Sequence, residues 1–123
     1  MITIYKPSFY KTNIYIIYKM NVIQKSDLAM YIENKLFNNY NIIPHIINTS
    51  QGIIVDIRVD TIYIHLIYNF YQNQYYIEYL KFFNEGNNID DYFIEHVKFN
   101  EINEVYYFTD YVIDTIKPPQ IYT

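Results

Sequence analysis

Residues 53–83, IIVDIRVDTIYIHLIYNFYQNQYYIEYLKFF, decide the fold. Ile53, Val55, Ile57 and Val59 alternate with Asp56, Arg58 and Asp60, the period of a strand with one face turned to a core. Ile62, Ile64, Leu66, Tyr68 and Phe70 then alternate with Tyr63, His65, Ile67 and Asn69. The first set is apolar and the second mixes Tyr63 and Ile67 with His65 and Asn69, so both faces of the second strand are expected to be at least partly covered. Gln72-Asn73-Gln74 has turn chemistry, and Tyr75 to Phe83 forms a third strand that runs into Asn84-Glu85-Gly86-Asn87-Asn88. Three adjacent strands joined so closely imply an antiparallel meander.

Working outward, residues 2–5 and 13–20 (Asn13-Ile14-Tyr15-Ile16-Ile17-Tyr18-Lys19-Met20) are rich in β-branched and aromatic side chains and are expected as further strands. Ser26-Asp27 opens a helical pattern, with a hydroxyl to cap free N–H groups and a carboxylate suited to the positive helix start. Leu28, Ile32, Leu36 and Tyr40 recur every four residues beside Ala29, predicting a helix over about 27–39 that leaves at Asn38-Asn39. From Asn100, a step of about 100° per residue gathers Ile102, Val105, Phe108, Thr109, Val112, Ile113 and Ile116 on one side. Glu104, Tyr107, Asp110, Tyr111 and Asp114 gather on the other, and Pro118-Pro119 stops the element. Ile102, Val105, Val112 and Ile116 are the predicted buried positions. Residues 89–97 fit either a helix or a loop. The fold class is α+β: an antiparallel sheet of four to five strands with two principal helices packed on it, over residues 1–123 as one domain.

Composition narrows the function. The 123 residues suffice for one core, and the absence of cysteine removes disulfides, thiolate metal sites and a nucleophilic thiol. Ile (24), Tyr (17) and Asn (14) fill 55 positions, a usage that follows A/T-rich codons. Lysine codons are equally A/T-rich, yet there are only eight Lys and one Arg against thirteen acids, so negative charge reads as selected. The charge is also localised. Up to residue 84 the sum is +2, whereas Glu85, Asp90, Asp91, Glu95, Glu101, Glu104, Asp110 and Asp114 against Lys98 give −7 over 85–114. A field of one sign raises encounter rates with an oppositely charged surface, although like charges also simply solvate a face.

Chemistry finds little support. His45, His65 and His96 stand at no metal-ligand spacing, and His65 reads as a satisfied, partly buried imidazole. Asp91, Glu95 and His96 are the most suggestive local group, but adjacent residues 95 and 96 diverge on a helix. Two glycines leave no phosphate-binding loop, and Ser8, Ser26 and Ser50 lie in no nucleophile-elbow context. No enzyme, cofactor or metal is expected. One arginine and a net charge of −4 argue against direct nucleic-acid binding, and an acidic surface is repelled by anionic lipid. No leader or membrane span is evident, so a cytoplasmic location is expected.

Protein binding remains. Tyrosine brings contact area, a polar tip and little rotamer entropy to interfaces. Glu104, Tyr107, Asp110, Tyr111 and Asp114 are therefore the candidate partner-binding residues, and the partner is a basic protein such as a nuclease toxin or a nucleic-acid-binding effector. The reading is an acidic inhibitor, as in a cognate immunity protein. A phage or viral anti-defence protein of the anti-CRISPR kind, or a homo-oligomeric structural protein such as a homodimer, is the alternative.

Overall fold

A computed structural model of the chain describes residues 5–83 and 92–116, except for the side chains of residues 5–21 and of Phe83. Helix α1 (Tyr5–Tyr40) leads into strands β1 (His45–Asn48), β2 (Gly52–Val59), β3 (Ile62–Tyr71), β4 (Gln74–Phe83) and β5 (Tyr92–Phe99), followed by helix α2 (Ile102–Asp114). The strands form one antiparallel sheet in sequence order, so every neighbour in space is a neighbour along the chain. This is the expected α+β architecture, with five strands and two helices.

The meander follows the alternation in the sequence. Ile53, Val55, Ile57, Ile64, Leu66, Tyr68, Phe70, Tyr75, Ile77 and Tyr79 are buried on one face of the sheet. Leu28, Ile32 and Leu36 of α1 and Val105, Val112 and Ile113 of α2 close over them. Asp60 and Asn73 turn the hairpins in the left-handed region, at φ 51° and 55°, where their short polar side chains are tolerated. Gly52 is required for a different reason: a Cβ there would lie 1.6 Å from the Tyr68 carbonyl oxygen. Its N–H donates to the Thr49 hydroxyl at 2.9 Å, fixing the β1–β2 corner.

Several boundaries differ from expectation. Residues 13–20 belong to α1 and form no strand, and of the segment 2–5 only Tyr5, in the helix, lies within the described residues. The apolar spacing that begins at Leu28 sets a helix, and from Ser8 back to front nothing interrupts it: no Gly or Pro occurs between Ser8 and Tyr40. Pro7 falls in the first turn, where its missing N–H costs nothing. β-propensity describes fit to a pleated surface and yields to such context. Ser26 is accordingly inside the helix and caps nothing. The helix runs past Asn38-Asn39 to Tyr40, and left-handed Asn41 (φ 57°) ends it, its N–H donating to the Phe37 carbonyl at 3.0 Å.

The remaining strands come from segments without such an expectation. His45–Asn48 pairs with β2 as a short edge, and residues 92–97 of the segment 89–97 expected as helix or loop form, with Lys98 and Phe99, the other edge. Residues 89–91 lie outside the described residues. On β5, Glu95, Val97 and Phe99 share the helix side of the sheet, while Tyr92, Ile94, His96 and Lys98 share the opposite side, as the β4 register requires. Val105, Val112 and Ile116 are buried as expected; Ile102 is half-buried at the start of α2.

Candidate protein-binding face

Helix α2 positions the residues singled out from the sequence, and its core side determines how they point. Thr109 is fully buried, and its hydroxyl donates to the Val105 carbonyl at 2.7 Å. With its one proton used, the Thr109 oxygen accepts from the Tyr68 hydroxyl at 2.9 Å, joining α2 to the middle of β3. Burial pushes the Tyr68 phenol far above its ordinary range, only partly offset by the Thr109 bond, so the ring stays neutral. At the helix start the Glu101 N–H donates to the Glu104 carboxylate at 3.2 Å, satisfying a backbone donor that the helix leaves free.

On the outer side, Tyr107 is 73% and Tyr111 56% exposed, one turn apart. Glu104 and Asp114 are exposed as well. At about 100° per residue, Glu104, Tyr107, Tyr111 and Asp114 fall within about 80° of one another, a single stripe. The stripe therefore consists of two aromatic rings bracketed by two carboxylates.

Asp110 stands apart. It lies about 40° beyond the stripe on the α1 side. There its carboxylate is 2.6 Å from the Lys35 ammonium and accepts the Tyr31 hydroxyl. Burial pushes the carboxyl up, but the hydrogen bonds from Lys35 and Tyr31 and the Lys35 charge outweigh it, so Asp110 sits below the ordinary carboxylate range. Lys35 also reaches Asp114 at 3.9 Å, and Tyr31 packs edge-on against Tyr106 with ring centroids 4.9 Å apart. Asp110 is thus a clamp between helices, half-buried, with its charge matched. The sequence could not show this partner, which lies 75 positions away; the one-turn spacing of Tyr31 and Lys35, matching that of Asp110 and Asp114, was the available trace.

Of the other acids in the 85–114 segment, Glu85, Asp90 and Asp91 lie outside the described residues. Glu95 and His96 point to opposite faces of the sheet, so they form no joint site.

A second polar group sits on the sheet face away from the helices. Asp56 accepts the Tyr63 hydroxyl at 2.8 Å and a hydrogen bond from His65 Nδ1, and the Arg58 guanidinium lies 4.8 Å from the Tyr63 ring centre. Burial raises the Asp56 carboxyl, but the bonds from His65 and Tyr63 prevail and hold it low. His65 is the satisfied, partly buried imidazole read from the sequence. Its cross-strand neighbours are Asp56 and Leu80.

Among the described residues there is no group of three or more His, Asp and Glu placed to hold a metal ion, and no helix is long and apolar enough to cross a membrane. The chain has no match among protein-family models, curated proteins or solved structures.

Proposed function

We propose that this protein is an acidic inhibitor that lays the α2 stripe on a basic, nucleic-acid-acting protein, covering surface that phosphate groups would otherwise occupy. The cognate immunity protein of a nuclease toxin is the setting that this chemistry suits. One observation carries the reading: Tyr107 and Tyr111 stand outward between Glu104 and Asp114 on a helix whose other side is fixed to the core. Large rigid aromatic anchors supply lifetime to a complex, and surrounding charges supply encounter rate and partner choice. Holding the helix by Thr109 and Asp110 keeps the stripe preorganised, so little ordering cost is left for binding.

Tagged protein used to capture partners from its own cell tests this. The expected catch is a nuclease or other nucleic-acid-binding protein of basic surface, retained by wild type and lost with Tyr107→Ala or Tyr111→Ala. Equal retention by both variants would overturn the proposal.

A further inference from the structure

The second face of the sheet is built like an interface. In an antiparallel sheet with one face on the core, the other is ordinarily polar. Here two apolar rows each run over three of its five strands, continued by Glu78 and His96 in one and by Arg58 in the other. The strand registers set Ile47, Ile54 and Ile67 side by side on β1, β2 and β3. They likewise align Tyr63, Phe82 and Tyr92 on β3, β4 and β5, with ring centroids 5.8 and 6.2 Å apart. The edge positions are open: Ile47 is 43% and Ile94 47% exposed. The outward positions of β3, among them Tyr63 and Ile67, are half-buried, yet both helices lie on the other face.

Size and charge identify the occupant. Strands of four to ten residues, at about 3.3 Å rise and about 4.8 Å spacing, give a projected area on the order of 600 Å² before corrugation. A stable interface takes roughly 800 Å² of accessible surface per partner. On this face Arg58 and Lys98 balance Asp56 and Glu78, so its formal charge is zero in a chain of net −4. Two copies repel through most of their surfaces but meet here without that cost. Subunit interfaces between identical chains are also the more apolar class.

We propose that two copies pair through these faces, sheet on sheet, in a two-fold dimer of four layers, helices outermost. Packed sheets stand about 10 Å apart with their side chains interdigitated. The arrangement leaves an α2 stripe on each outer side, so the dimer presents two binding stripes. It does not rest on the inhibitor reading, and each stands or falls separately.

Sedimentation over a concentration series gives the mass, and tyrosine footprinting on the same samples gives the surface. The expected species has twice the 15.1 kDa mass of the chain. Ile47→Lys and Ile94→Lys, which reduce net repulsion, each raise its dissociation constant about a hundredfold, because two-fold symmetry counts every substitution twice. Both positions are exposed, and an unchanged circular dichroism spectrum shows that the variants fold. In wild type, Tyr76 and Tyr92 become protected as the dimer forms, while Tyr107 and Tyr111 stay reactive. A monomer at all concentrations, or a dimer in which Tyr76 remains as reactive as in the monomer, overturns the proposal.

Discussion

The Lys35 ammonium stands 2.6 Å from Asp110 Oδ1, 75 positions further along the chain, and this contact joins the two helices above the sheet. Its pH dependence follows from the two shifts. The Asp110 carboxyl is lowered, so its contribution is present above the ordinary aspartate value of about 4 and is lost as pH falls through the folded value. For Lys35, burial pulls down but the Asp110 hydrogen bond and charge win, and its pKa is raised. That contribution is complete below the ordinary lysine value of about 10.4 and is lost as pH rises through the folded one. Asp110→Asn is expected to cost about 1 kcal/mol at neutral pH and less near pH 2. Urea unfolding of both proteins at the two pH values checks it; an equal loss at both would mean that the charge is not what stabilises.

Thr109→Val removes the partner of a fully buried Tyr68 hydroxyl and should cost about 1–3 kcal/mol. Adding Tyr68→Phe to that variant removes the orphaned hydroxyl, so the double variant is expected to be less destabilised than the two single losses added together. Additive losses in thermal unfolding would show that the two hydroxyls do not interact.

Gly52→Ala places a methyl group against the Tyr68 carbonyl, where only displacement of β2 from β3 gives room. A loss of at least ~2 kcal/mol is expected in chemical denaturation. Near-wild-type stability would mean that the strands approach less closely at this corner.

Val112→Asp puts a charge where no solvent reaches, in the layer between α2 and the sheet. The expected cost is on the order of 3–5 kcal/mol. Unchanged thermal stability would contradict the assignment of the core side of α2.

The meander was legible because β2 alternates with period two, β3 continues as an apolar run and turn residues bound β4, and α2 because its apolar and acidic positions segregate on a helix. The first half of α1 was not. Residues 13–20 are β-formers by composition, and what makes them helical is continuity with the segment from Leu28 onward, which fixes the axis by packing on β2 and β3. β5 was equally hidden, since Tyr92-Phe93-Ile94 is apolar on both sides and masks the alternation that begins at Glu95. At the candidate site, the outward position of Tyr107 and Tyr111 could be read from helical spacing alone. The withdrawal of Asp110 into the Lys35 clamp could not, because it depends on how two distant helices cross. The −7 segment therefore overstates the charge that the stripe offers: Glu104 and Asp114 carry it, with Asp114 partly screened by Lys35.

The central claim is that the α2 stripe binds a basic protein, and kinetics on the captured partner at two salt concentrations tests it most directly. Asp114→Asn should slow association and flatten its salt dependence, whereas Tyr107→Ala and Tyr111→Ala should each speed dissociation, at about 1–3 kcal/mol apiece. Asp110→Asn leaves the Lys35 charge uncompensated beside Asp114, so it should slow association as well. Wild-type association and dissociation in the Tyr107, Tyr111 and Asp114 variants alike would contradict the account.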